Sequence, residues 1–288
     1  MAEDVFMPST TPSDQYAPLS EPGAEALAAL IADPHNTLLA LDFDGTLAPI
    51  IDDPEHAQAH GGAVAALGRL GRRFAKIAVV TGRPVETAVR LGHFDSTPGL
   101  EHMIVLGQYG IERWDADTGE IHAPPAPDGI VGIDTELPAL LDDAGLSDAR
   151  IEHKGRAVVV HTRGLSEGNY AFEKLRAPIA ALAARHDLDV EPGKQVWEIR
   201  AHGFDKGDAM RTLVAETGAK QVIFAGDDLG DLPAFDAVVA MRSEGVPGLL
   251  VCSASYEQDA LSELADLVVE GPDAVAAWLT WLADRLDG

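Results

Sequence analysis

A chain of 288 residues, 46% hydrophobic and 24% charged, is long enough to bury a sizeable core and suggests about two domains, which excludes a disulfide-stapled miniprotein and a wholly disordered chain. Forty-seven Asp and Glu against 21 Lys and Arg give a formal net charge of -26, and this far field repels nucleic acid and anionic membrane surfaces, so neither is expected as a partner. The lone Cys252 allows no intrachain disulfide, the N-terminal stretch has no basic segment followed by an apolar one, and no run approaches the roughly 18 apolar residues of a spanning helix, so a cytoplasmic location is expected. Acidity leaves room for an anionic small molecule, because a divalent cation and a few fixed Lys or Arg reverse the potential inside one cleft.

Residues 1 to about 20 are rich in Pro, Ser and Thr without an apolar period, the composition of an unstructured tail. From Glu21, EALAALIAD has helical apolar spacing, and TLLALDFDGTL is a continuous apolar run closed by acids and Gly, which reads as a buried parallel strand. AVAALGRLGRR (helix), KIAVVTGRP (strand), PVETAVRLGHF (helix) and MIVLGQYG (strand) continue the alternation. Between about Asp115 and His202 the pattern changes. Pro124, Pro125 and Pro127 break the chain, IEHKGRAVVVHTR and QVWEIRA alternate with period two as half-exposed strands, and YAFEKLRAPIAALAARHD is a helix between them. KGDAMRTLVAETG (helix), QVIFAGDDLG and GLLVCS (strands) and AVAAWLTWLADRL (helix, with Trp278 and Trp281 facing a core) complete the chain. The expected architecture is α/β: a Rossmann-like parallel sheet covered on both faces over 21–118 and 203–288, with a smaller α+β module inserted at 119–202.

In an extended strand residues i and i+2 share a side, so Asp42 and Asp44 present two carboxylates at the carboxyl end of the first strand, where open α/β sheets collect ligands. Two close like charges are costly unless a cation bridges them or one is protonated, and both arrangements serve catalysis. The competing assignment, the opening of an EF-hand calcium loop, fails on the Leu47, Ala48 and Pro49 that follow. Thr81 ends IAVV ahead of Gly82, Arg83 and Pro84, so a hydroxyl and free amides at a helix start could hold a phosphate; a plain N-cap is the equal alternative. Lys206 opens KGDAMRTLV at the wrong end of the helix dipole for a cation, which points to a use for its charge elsewhere. Asp227 and Asp228 follow VIFA and Gly226, with Asp231 three residues later; such a concentration of acids repels itself without a metal, and a solvated acidic loop is the alternative. On residue type alone, Glu152, Lys154 and Glu198 are ordinary exposed charges on half-buried strands, and His153 and His161 are solvated or packed rather than metal ligands.

Taken in order, these residues resemble the haloacid dehalogenase (HAD) superfamily, with DFDGT as the first motif, Thr81 as the second, Lys206 as the third and GDDLGD as the fourth. The closer similarity is to trehalose-6-phosphate phosphatases, from about Asn36 to the C-terminus. It is carried by LDFDGTLAPIIDDPEHA, VVTGRP, IEHKGRAVVVHTR, PGKQVWEIRAHGFDKGDAM and AGDDLGDLPAF. Two departures stand out: Gly230-Asp231-Leu232 occupy positions where many members have Thr-Asp-Glu, and VLGQYG replaces a more usual His-Gly pair.

The resemblance implies a Mg2+-dependent phosphatase that hydrolyses trehalose 6-phosphate through an aspartyl-phosphate. It makes Asp42 the nucleophile and Asp44 the general acid and then base; Mg2+ is held by Asp42, the main-chain carbonyl of Asp44 and Asp227, with Asp228 orienting Lys206 or a metal-bound water. Lys206 and Thr81 stabilise the phosphoryl oxygens, and Arg83 joins the substrate contacts. Glu152, Lys154 and Glu198 are set against sugar hydroxyls with Arg163 as a further contact, so 119–202 becomes a specificity cap and a phosphorylated disaccharide the partner. A different sugar, such as sucrose phosphate, mannosyl-phosphoglycerate or a hexose phosphate, keeps the chemistry and changes only the cap. A receiver-type module places its acids first and its Thr and Lys last in one domain, unlike this order, and a sugar-phosphate sensor binds without releasing phosphate.

Overall fold

The apolar runs become inner strands of an eight-stranded sheet in a computed structural model that describes residues 16–51, 53–193, 195–201, 203–254 and 260–288. The chain enters through α1 (Glu21–Ala32), β1 (Thr37–Leu41), α2 (Gly61–Leu70), β2 (Lys76–Val80), α3 (Val85–Gly92), β3 (Ile104–Gly107), β4 (Glu112–Asp115) and β5 (Ile121–His122). A second unit follows, made of α4 (Asp128–Asp143), β6 (Arg150–His153), β7 (Ala157–His161), α5 (Gly168–Arg185), β8 (Leu188–Gly193) and β9 (Val196–Ala201). The first unit resumes with α6 (Lys206–Thr217), β10 (Gln221–Gly226), α7 (Leu232–Ser243), β11 (Gly248–Ala254), α8 (Ala260–Leu264), β12 (Leu267–Glu270) and α9 (Gly271–Asp287). One compact unit thus contains the chain up to His122 together with Asp205–Gly288, and the other is Ala123–Phe204.

In the first unit the strand order is β12-β11-β10-β1-β2-β3-β4-β5, parallel as far as β3. Successive strand residues enter different cores. Leu39, Leu41, Val79 and Ile223 pack with α1, α2, α3 and α9, while Leu38, Ala40, Val80 and Phe224 pack with α6, α7 and α8. Burial on both faces explains why these strands are apolar without alternation, each large side chain contributing roughly 1.5–3 kcal/mol on leaving water. The chain moves outward from β1 in both directions, to β2 and β3 on one side and to β10, β11 and β12 on the other. The carboxyl end of β1 therefore lies at the crevice where strand order reverses.

The second unit is a four-stranded antiparallel sheet of order β6-β7-β9-β8. Val158, Val160, Trp197 and Ile199 pack against Ile130, Ile133 and Leu137 of α4 and Leu175, Ile179 and Leu182 of α5. Trp197 stacks on Phe172 at a centroid distance of 4.3 Å.

Several expectations change in detail. The β4–β5 hairpin is absent from the sequence reading because ERWD and IH are too short and polar to signal strands, and it carries the first unit past residue 118, to His122. Helix α4 was unexpected as well: Gly129, Gly132 and Pro138 obscure a helical spacing of Ile130, Ile133, Leu137 and Leu141. β7, expected half-exposed, is buried from Ala157 to Val160, as befits an inner strand. Residues 1–15 of the expected tail lie outside the described residues, but its last part is packed. Tyr16 is buried against Trp281, Leu19 N–H donates to Asp266 O at 2.6 Å, and Ser20 caps α1 and donates to the buried Asp266 carboxylate, which Arg242 also pairs. One aromatic and one cap outweigh the entropy that the tail's composition favours. No helix among the described residues is long and apolar enough to cross a membrane.

Tyr16→Ala should lower the unfolding free energy by about 2 kcal/mol, through lost ring packing. Urea denaturation would read this as a lower midpoint at unchanged slope, and an unaltered midpoint would remove Tyr16 from the core.

Candidate active site

β1 and β10 pair with Leu41 opposite Ala225, and Asp42 N–H extends the ladder by donating to Ala225 O at 2.8 Å. Phe43 is buried edge-on against Phe94, so it anchors the strand end while the flanking Asp42 and Asp44 carboxylates turn elsewhere. The turn then tightens: Gly45 has φ 77°, its N–H donates to Ala48 O at 2.7 Å, and its carbonyl accepts from the buried Ser253 hydroxyl at 2.7 Å. A Cβ at Gly45 would run into the Asp227 carboxylate, so both the dihedral and the close approach require glycine.

At the centre is Lys206, buried at the first position of α6. Its Nζ donates to Asp42 Oδ1 and to Asp231 Oδ1, each at 2.6 Å, which is the use for its charge that its place at the helix start foretold. Asp231 Oδ2 accepts from the N–H groups of Asp227 at 2.9 Å and Asp228 at 3.2 Å, so both its oxygens are committed to holding neighbours. Asp227 is different. Its Oδ1 is buried and has no hydrogen-bond partner among the described residues. Ligand oxygens of Asp42, Asp227 and Asp231 lie within 4.8 Å of one another.

Ionised together, the three buried carboxylates would carry two negative charges more than the one buried ammonium offsets. Burial, opposed by Lys206 and reinforced by Asp231 and Asp228, pushes the Asp42 carboxyl up to about 8. Burial and then the Asp42 and Asp231 charges push Asp227 up to about 11. For Lys206 burial acts downward, but Asp231 and Asp42 outweigh it and hold the amine charged, in keeping with its two short hydrogen bonds. An all-oxygen donor set that becomes strongly negative once its protons leave, with one unpaired buried oxygen, suits one hard divalent cation.

The other expected residues distribute unevenly. Asp44 directs its carboxylate to Arg83, whose Nε and second guanidinium nitrogen donate to it at 2.7 and 2.6 Å, while the third donates to Pro54 O at 2.8 Å. Arg83 is buried, with its guanidinium engaged by Asp44 and Pro54 O. Thr81, buried at the end of β2, accepts the Arg83 N–H on its hydroxyl at 3.1 Å. The exposed Asp228 stays outside the carboxylate cluster and caps the turn Leu229–Asp231 through Gly230 N–H at 2.9 Å. Asp231 takes the inner place, a role the sequence left unassigned although the Asp228–Asp231 spacing is that of a capping box.

Within the second unit, Glu152 and Glu198 lie directly across Val159 on one face of the sheet. Lys154 donates to Glu198 Oε2 at 3.0 Å, and Glu198 Oε1 is buried without a partner among the described residues. Glu152 takes His161 at 2.6 Å, and that hydrogen bond holds its carboxyl below the ordinary range. His153 pairs with Asp134 at 2.9 Å. Arg163, just beyond β7, is exposed.

Residues 40–269 match the profile of the family described as trehalose-phosphatase. The chain belongs to the trehalose-phosphatase family. Among curated relatives, a trehalose-phosphate phosphatase of Mycobacterium avium is 32% identical over 277 residues, which cover 92% of this chain and 65% of the relative; the chain thus spans just under two thirds of that protein's length. A solved structure described as a trehalose-6-phosphate phosphatase related protein aligns at TM-score 0.64 and 27% identity, covering 86% of this chain and 97% of that one. The C-terminal domain of the C. albicans trehalose-6-phosphate phosphatase aligns at TM-score 0.73 over 93% of this chain and 98% of that one, a likeness of fold at 19% identity. The family resemblance carried by the motifs, and the α/β HAD fold it implied, are both met in this family member.

Raised carboxyl pKa values favour the folded state below the ordinary 3.8 and lose that contribution as pH climbs towards 8. A divalent cation reverses the loss by displacing the protons, so the rise in thermal midpoint on replacing EDTA with Mg2+ should be larger at pH 8 than at pH 6. Asp227→Asn should shrink that increment at both values. An increment independent of pH would refute cation binding at these acids.

Proposed function

We propose that this family member is a cytoplasmic, Mg2+-dependent phosphatase that hydrolyses trehalose 6-phosphate to trehalose and phosphate through a phosphorylated Asp42. One observation carries the reading: Asp42 stands at the carboxyl end of the central strand, hydrogen-bonded to a buried ammonium and beside a second carboxylate with a buried, unpartnered oxygen. Asp42 attacks phosphorus, and the Lys206 ammonium and Thr81 hydroxyl stabilise charge on the phosphoryl oxygens. Asp44 protonates the departing sugar oxygen and then deprotonates the water that hydrolyses the aspartyl ester, with the paired Arg83 setting the direction of its carboxylate. Asp42, Asp227 and the Asp44 main-chain carbonyl would hold Mg2+, with Asp231 kept for Lys206 and the loop amides that already occupy its oxygens. When bound, the cation neutralises charge on the phosphoryl group and relieves the repulsion among the acids.

The substrate is a phosphorylated disaccharide, read by Glu152, Lys154, Glu198 and Arg163 of the second unit. Support comes from the shared face of Glu152 and Glu198 and from the buried Glu198 Oε1, an acceptor suited to a sugar hydroxyl.

Phosphate release should be Mg2+-dependent and fastest with trehalose 6-phosphate in a panel with sucrose 6-phosphate, glucose 6-phosphate and p-nitrophenyl phosphate. Glu198→Ala should lower kcat/KM for the disaccharide by roughly ten- to a hundredfold and alter p-nitrophenyl phosphate turnover far less. Equal losses on both would assign Glu198 to the fold or to the chemistry. A separate check concerns Asp44→Asn, which should suppress hydrolysis of the sugar ester more than that of the aryl ester, whose leaving group needs little protonation. Identical losses on the two esters would count against the general acid.

A further inference from the structure

The last residue of β3, Gly107, is followed by two successive non-glycine residues in the left-handed region, Gln108 at φ 48° and Tyr109 at φ 61°. Neither is glycine, so each holds its conformation at a cost that surrounding contacts must offset. Those contacts converge on one place. Gln108 N–H donates to Arg83 O at 2.9 Å, Tyr109 N–H donates to Thr81 O at 2.9 Å, and the Gln108 side-chain amide donates to Gly82 O at 3.1 Å. Two strained residues thus capture all three carbonyls of the turn Thr81-Gly82-Arg83. The Tyr109 ring lies directly on Gly82, where a Cβ would stand 2.9 Å from the phenol oxygen, and Gln108 is buried.

We infer that Gln108 and Tyr109 are positioning residues that hold the Thr81–Arg83 turn in its phosphoryl-binding form, and thereby set affinity for the phosphoryl group without touching it. The inference rests on the phosphatase reading above. In a trans peptide C=O and N–H point in opposite directions, so drawing the Thr81 carbonyl towards Tyr109 turns the Gly82 N–H the other way. Drawing all three carbonyls to one side also removes their negative ends from the side an anion approaches, as in backbone concavities that bind phosphate. The same turn carries the Thr81 hydroxyl and the guanidinium that holds Asp44, so a slack turn would loosen both. Two of the three hydrogen bonds come from main-chain N–H groups and depend on the dihedrals, while the third depends on the Gln108 amide itself.

Gln108→Asn separates positioning from folding. Asn tolerates the left-handed region better than Gln, yet is one methylene too short to reach Gly82 O. Calorimetric titration with inorganic phosphate in the presence of Mg2+ should show affinity about tenfold weaker, at an unchanged or higher thermal midpoint. KM for p-nitrophenyl phosphate and for trehalose 6-phosphate should rise by that common factor, because the two share only the phosphoryl group, while kcat changes less than KM. Gln108→Gly, free to adopt the dihedral but lacking the amide, should repeat the result and serves if the Asn variant folds poorly. Phosphate affinity equal to that of the parent in either folded variant would overturn the inference, leaving Gln108 a structural residue. Neither phosphate titration nor the aryl ester involves a sugar. A wrong sugar assignment therefore leaves this comparison intact, and absence of all turnover would reject the phosphatase reading while the titration still decides the buttress.

Discussion

Lys206 is the contact on which the site depends. Its ammonium bridges Asp42 at the end of β1 and Asp231 beyond β10, at 2.6 Å each, in surroundings from which water is largely excluded. Burying an ion pair returns little net stability, and burying three carboxylates around one amine works against folding. Such an arrangement makes physical sense as a place prepared for more positive charge, where desolvation has been met in advance by the fold. Asp227 fits this account best, because its buried oxygen accepts nothing from the described residues.

The sheet makes the cluster possible by geometry rather than by local preference. Parallel pairing of β1 with β10 places Asp42 and Asp227 just past the ends of adjacent strands, and burial on both faces keeps those strands from sliding. Around this rigid floor the turns are fastened individually. Ser253 holds the Gly45 carbonyl, Asp228 and Asp231 cap the loop after β10, and Gln108 and Tyr109 hold the turn after β2. The groups at the strand ends are thus on loops, but on loops whose backbone groups are already engaged.

Arg83 and Asp228 illustrate how a motif residue can take a different partner from the one its type suggests. A lone Arg just after a strand-end threonine reads as an anion contact, yet its planar fork matches the Asp44 carboxylate and its remaining nitrogen finds Pro54 O. Asp228 and Asp231 are chemically identical, and the difference between them comes from the backbone. The residue at the cap position turns outward to Gly230, and the one three positions later reaches back under the loop to Lys206.

The order of DFDGT, Thr81, Lys206 and GDDLGD and the unbroken apolar strands were enough to determine the α/β class and the family, because each rests on residue type and local period. Local period also failed where it was weak. Gly and Pro hid α4, short polar strands hid the β4–β5 hairpin, and a tail-like composition hid the docking of Tyr16 on Trp281. Only the tertiary structure decided which acid pairs with Lys206, which oxygen is left without a partner, and that Gln108 and Tyr109 brace the turn after β2. Those outcomes depend on contacts between groups up to 164 positions apart and on backbone dihedrals that no side-chain pattern encodes, so they exist only once the chain has folded.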